Sequence, residues 1–155
     1  MNTNRATSIC LFRVGELLCG FTSDVAREII HVPEIRLIPG APPYILGLIN
    51  LRSQILTAFH LAVCLGLPQA TITPASRHLI LSLPSGRLSC QVDQVESILR
   101  LNENAWIPTP NLPANLLPFV SRAAVTEYGL AALLDPDQIY HSLCPTSHLP
   151  TTQKS

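Results

Sequence analysis

The stretch from Pro39 to Leu61, PGAPPYILGLINLRSQILTAFHL, decides how the chain is read. A proline-rich connector leads into the apolar run Tyr44 to Ile49. Asn50-Leu51-Arg52-Ser53 interrupts it, and a second apolar run, Ile55 to Leu61, follows. Two strand-length runs around a polar tetrad predict two strands joined by a tight turn. Arg52 is the lone cation of an otherwise uncharged segment. A single charge displayed by a hairpin on an apolar framework points to recognition rather than catalysis.

Around this stretch the chain is apolar and charge-balanced. Of its 155 residues 47% are hydrophobic and only 13% charged, with ten basic residues against ten acidic. That is enough for one domain, or two small lobes sharing a core. It excludes a disordered chain and reserves some apolar surface for partners. No net field favours nucleic acid or an anionic membrane. The apolar runs are strand-length, short of the roughly 18–20 residues a membrane helix needs.

The start, MNTNRATS, lacks a signal-peptide apolar core. Residues 1–7 are expected to be flexible, and the polar tail 145–155 disordered. Cys10, Cys19, Cys64, Cys90 and Cys144 are scattered and odd in number. Without a secretion signal they read as reduced thiols of a cytosolic protein, most of them small buried hydrophobes.

Hairpin patterns recur along the chain. Ser8–Val14 and Leu17–Phe21 flank Gly15-Glu16, and His78–Leu83 and Arg87–Asp93 flank Pro84-Ser85-Gly86. Ser23-Asp24 predicts a cap on a helical turn through Val25-Ala26-Arg27. Glu28–Val32 reads as a strand ended by Pro33. A helical turn is expected around Leu61–Leu65, a strand over Val95–Leu101 and a helix over Leu112–Val120. Strands at Arg122–Thr126 and Leu130–Leu134 precede a last helix that Asp135-Pro136 opens and that runs to about Leu143.

Laid on itself, the chain repeats. With an offset of 69, Leu11-Phe12 falls on Ile80-Leu81, Asp24 on Asp93, Ile29-Ile30 on Ile98-Leu99 and Leu37-Ile38-Pro39 on Trp106-Ile107-Pro108. With an offset of 75, Ile55 falls on Leu130, Ala58-Phe59 on Leu133-Leu134 and His60 on Asp135. The expected architecture is all-β with a few short helices: two lobes of about five short strands, joined near residues 69–77.

VAREIIHVPEIRLIPGAPPYILGLINLRSQILTAFHLAVCLGLP is similar to the signature half of CheW, the bacterial chemotaxis coupling family. CQVDQVESIL, WIPTP and GLAALLDPDQI resemble its second half. The resemblance runs from about Ser8 to Leu143. It implies two SH3-like five-stranded barrels on a shared apolar core, no enzymatic activity and no cofactor. It implies as partners the CheW-like regulatory domain of a CheA-type histidine kinase, the cytoplasmic tip of methyl-accepting chemoreceptors, and other CheW-like proteins. It also implies a cytoplasmic location at receptor arrays on the inner membrane. Two positions depart from the family pattern: Ser53 stands where a glycine is usual, and His60-Leu61 where Asp-Leu is usual. If Ser53 must adopt positive φ it costs roughly 1 kcal/mol.

Arg52 is the first candidate for partner binding. A solvated turn cation is the commoner fate of an exposed arginine, and the resemblance is what moves it to recognition. Arginine also suits interfaces because its planar fork pairs with carboxylates. Glu28 and Val25, in the V-x-x-E-I pattern, and Leu51 and Ser53, beside Arg52, are further candidates. Asn50 is expected chiefly to brace the turn. Trp106 reads as core filling. His60 and Cys64 are too few ligands for a metal site. The dyads Cys64–His60 and Ser53–His60 lack an oxyanion loop and an orienting carboxylate. The competing functional class is a small-molecule or peptide sensor with its pocket between the lobes. A further alternative is a decoy that binds the kinase and not the receptor.

Overall fold

The computed structural model describes residues 6–69, 71–109 and 111–143. The chain forms β1 (Thr7–Val14), β2 (Leu17–Thr22), β3 (Ala26–His31), β4 (Ile45–Leu51), β5 (Gln54–His60) and α1 (Leu61–Cys64). There follow β6 (Arg77–Leu83), β7 (Gly86–Val92), β8 (Gln94–Leu101), β9 (Trp106–Ile107), β10 (Val120–Thr126), β11 (Gly129–Leu134) and α2 (Pro136–Leu143). A six-stranded sheet runs β8-β1-β2-β11-β10-β9 and a five-stranded sheet β3-β6-β7-β5-β4. The expectations for residues 1–5 and for the tail from 145 lie outside the described residues, as does Cys144; Thr7 already belongs to β1.

The repeat is present, but its halves are exchanged. Phe12 faces Cys19 in β1–β2, and Leu81 faces Leu88 in β6–β7, one register shifted by 69. Cys10 faces Ile98 in β1–β8, and Leu79 faces Ile29 in β6–β3. A register break recurs at the same place in these two ladders, after Leu11 and after Ala26. The parallel pairs also correspond, Ala132 beside Cys19 and Thr57 beside Leu88. Each lobe therefore takes its opening hairpin from one half of the chain and its remaining strands from the other. The division near residues 69–77 is corrected accordingly: that connector joins β5 to β6 inside one sheet, and the chain crosses between sheets after β2 and after β7.

Two local expectations are also corrected. At Ser23–Val25 the helical turn closes only one bond, Val25 N to Thr22 O at 3.0 Å, before Ser82 N takes the Val25 carbonyl at 2.8 Å and draws the chain into the sheet. Over Leu112–Val120 a turn closes on the Pro113 carbonyl, from Leu116 N at 2.9 Å and Leu117 N at 3.3 Å, and the helix is reduced to the 3-10 turn Leu117–Phe119. Pro118 lacks the amide that would bond back to the Ala114 carbonyl, so a longer helix cannot close.

A shared core joins the lobes. Phe12, Phe21, Phe59, Leu79 and Leu81 are fully buried in it, and Ile139 of α2 closes one side. Each such phenylalanine contributes about 1.5–3 kcal/mol by leaving water. Each lobe also has its own small core, Ile9, Leu11, Leu18, Ala131 and Leu133 in the first and Ile49, Leu56, Ala58 and Ile80 in the second. Trp106 packs on the first of these, with the Arg122 guanidinium 3.9 Å from its ring centroid. In the second lobe the bridge Arg36↔Leu48 takes the place of Ile107↔Ala123. Ile35, rather than the aligned Leu37, therefore matches Trp106, and Leu37 is left 83% exposed. Among the described residues no helix is long and apolar enough to cross a membrane.

Candidate functional site

The β4–β5 turn consists of two residues, Arg52 at φ 49° and Ser53 at φ 73°. Both φ angles are positive, the pattern of a type I′ hairpin turn, whose twist matches that of its strands. The turn thus keeps the left-handed residue at Ser53 despite its side chain. Asn50 Oδ1 accepts the Ser53 amide at 2.9 Å, so Asn50 braces the tip from within. Gly47, at φ 145°, lets the Arg36 carbonyl close on β4, because a Cβ there would collide with that carbonyl.

This tip does not carry a lone charge. The Arg52 guanidinium donates to both Glu28 oxygens, at 2.8 and 2.7 Å. Arg87 Nη2 lies 4.0 Å from the same carboxylate, and Arg87 Nη1 donates to Gln54 Oε1. Four elements therefore meet: β3 through Glu28, the turn through Arg52, β5 through Gln54 and β7 through Arg87. The hydrogen bond from Arg52 holds the Glu28 carboxyl below its ordinary value, helped by the charges of Arg52 and Arg87 and opposed by partial burial. Glu28 in turn pushes the Arg52 guanidinium up.

The remaining candidates sit less openly. Leu51 is half-buried against the second lobe's core, and Val25 against the shared core. Beside the tip an open groove of 560 Å³ is bordered by Pro33, Arg36, Leu48, Asn50 and Ile55. The dyads considered from sequence do not assemble into catalytic centres. Ser53 and His60 lie at opposite ends of β5, and the Cys64 thiol points to the Ser142 hydroxyl at 3.8 Å, with burial pushing it up. Among the described residues no three His, Cys, Asp or Glu side chains converge in a metal-binding arrangement.

Sequence reading missed Arg87 and Gln54. A signal existed: Arg87, Ser89 and Gln91 alternate along β7 with the core residues Leu88, Cys90 and Val92, so they share the opposite face. That face continues inward as a polar column. His78 Nδ1 pairs with Ser89 Oγ at 2.7 Å, and His78 Nε2 with Gln91 Oε1 at 3.2 Å, all buried. The corresponding residues of the first lobe are Ile9, Gly20 and Thr22.

Comparison with known proteins agrees with this architecture. A CheW-like domain model matches residues 8–144. A chemotaxis protein CheW from Rhizobium meliloti is 29% identical over 143 residues, 90% of this chain and 91% of that one. A probable chemotaxis protein CheW from Rhizobium etli is 33% identical over 113 residues, 68% of each chain. The crystal structure of the scaffolding protein TtCheW from Thermoanaerobacter tengcongensis superposes with a TM-score of 0.77 at 25% identity, over 84% of this chain and 90% of that one. The two-lobed β fold and the extent of the family match together place this chain in the CheW-like family.

Proposed function

We propose that this chain is a non-catalytic scaffold that couples methyl-accepting chemoreceptors to a CheA-type histidine kinase in an array serving chemotaxis, phototaxis or twitching. The array would lie at the cytoplasmic face of the inner membrane. The observation that carries this reading is the hairpin tip, where Arg52, Glu28, Arg87 and Gln54 form a held, solvent-facing charge cluster beside an open groove. Ordered charges next to apolar surface suit a protein interface, because little side-chain freedom is lost on docking. In this reading Glu28 and Arg52 belong to the contact surface, Asn50, Leu51 and Ser53 set the shape of the tip, and Val25 anchors β3 behind it.

The sensor alternative needs an open pocket between the lobes. That space is occupied by Phe12, Phe21 and Phe59, each at 0% exposure, and by their core neighbours, which favours the scaffold. Modest contacts of this kind gain strength when several act together in an array. The test is co-purification with the cognate kinase's regulatory domain and with the receptor's cytoplasmic tip. Binding to both supports the scaffold, binding to the kinase alone supports the decoy, and binding to neither sinks the proposal.

A further inference from the structure

The charges of the tip cluster do not cancel. Glu28 is its one anion, and both carboxylate oxygens are taken by the Arg52 fork. Arg87 approaches an already occupied oxygen at 4.0 Å and is otherwise held by a neutral amide, Gln54. The first lobe does not repeat this cluster: under the offsets of 69 and 75 Glu28 falls on Ser97, Arg87 on Leu18, Arg52 on Glu127 and Gln54 on Gly129. The tip of the second lobe sets two cations against one anion.

The surplus belongs to Arg87. A guanidinium offers five N–H donors, and Arg87 uses few of them. Its side chain is 33% exposed, open to a partner but already oriented by Gln54. Arg52 is more exposed, at 65%, yet its fork is filled. A carboxylate arriving at Arg52 meets a guanidinium that Glu28 already neutralises through both Nη groups, whereas Arg87 has one donor engaged, by a neutral amide.

We infer that Arg87 is the cation that receives an aspartate or glutamate side chain from the protein partner, and that Arg52 is the positioning residue that holds Glu28 beside it. An incoming carboxylate would complete a neutral group of two arginines and two carboxylates. Charge-assisted, bidentate pairing is what a preoriented guanidinium favours. This inference rests on the scaffold reading of the tip.

The experiment measures affinity of the full chain for two probes, the kinase's regulatory domain and the receptor's cytoplasmic tip, at low and moderate salt. Arg87→Gln is expected to weaken at least one of them about tenfold, a typical size for loss of one interfacial charge pair, and to flatten its salt dependence. Arg87→Lys keeps the charge and should retain most of the affinity. Thermal midpoints of both variants check that the fold is intact. Unchanged affinity of Arg87→Gln for both probes overturns the inference, as do equal losses in Gln and Lys variants with an unaltered salt dependence. Failure of the wild-type chain to bind either probe instead overturns the scaffold reading and this inference with it. Wild-type binding that survives Arg87→Gln sinks the inference alone.

Discussion

Glu28 and Arg52 lie 24 residues apart in the chain and meet as a two-pronged ion pair, with β3 supplying the acid and the β4–β5 turn the base. The pair is solvent-facing, at 31% and 65% side-chain exposure, and exposed pairs add little to folding. Its weight therefore falls on the surface it organises.

Arg52→Glu should leave the urea midpoint nearly unchanged while reversing the charge of the tip. Affinity for the partner is expected to drop about tenfold or more, the scale of losing an interfacial charge contact. Adding Glu28→Arg restores the ion pair in reverse and the net charge, and should recover part of the loss. Binding measured across this double-mutant cycle checks it; equal affinity in all four proteins would remove the cluster from the interface.

Ser53 holds φ 73° with a side chain, where glycine would be unstrained. Ser53→Gly removes roughly 1–2 kcal/mol of left-handed strain and returns about 0.4–1 kcal/mol of unfolded-state entropy. A net gain of about 0.5–1 kcal/mol is expected in urea unfolding. A loss would show that Ser53 is not strained in this turn, since glycine keeps the amide that Asn50 accepts.

Gly47→Ala should act in the other direction. The new Cβ meets the Arg36 carbonyl and the Ile35 side chain at a residue of φ 145°. Backbone strain and overpacking add, so a loss of about 2 kcal/mol or more is expected, with weakened protection of the Arg36 and Leu48 amides in hydrogen exchange.

His78 makes the second lobe sensitive to acid. Burial lowers its pKa from 6.5 to about 4, with the neighbouring His60 adding to the shift and the Gln91 hydrogen bond opposing it. Above pH 6.5 both folded and unfolded chains hold it neutral. Between 6.5 and about 4 only the unfolded chain takes the proton, so stability falls as pH falls. The slope approaches about 1.4 kcal/mol per pH unit and totals about 3 kcal/mol from this residue. His78→Ile, copying Ile9 of the first lobe, should remove this contribution. It should also cost about 1–3 kcal/mol at neutral pH by stranding Ser89 and Gln91. An unchanged acid profile would show that His78 is not the titrating group.

The strand exchange predicts that neither half of the chain folds alone. Residues 1–69 hold β1 and β2 without β8 and β11, and β3 without β6. Circular dichroism of the separate fragments 1–69 and 70–155 should show little native strand signal, and mixing them should restore it. Independent folding of either fragment would contradict the exchange.

Much of this was legible in sequence. Alternating apolar residues and turn signals located the hairpins, because side-chain direction in a strand repeats every second residue. The offsets of 69 and 75 carried over into the ladders, since equivalent faces must pack on equivalent neighbours. The match of Leu37 to Trp106 failed for a reason the sequence does not carry. Arg36 bridges to Leu48 and puts Ile35 on the core side, a register chosen by backbone contact. The helices expected at Val25 and Leu112 yielded to sheet bonding and to proline.

At the tip, the residues of the turn itself were readable from Asn50-Leu51-Arg52-Ser53, and so was the strain at Ser53. Arg52 looked solitary because its partners are remote in sequence: Glu28 on β3 and, through that acid, Arg87 on β7. What the sequence determined by itself is the position of the main hairpins and their turns, set by neighbours within a few residues, and the twofold repeat. Which hairpin joins which sheet was decided only by tertiary structure. Every strand edge offers the same backbone donors and acceptors, so the choice falls to the shared core, and with it the company that Arg52 keeps.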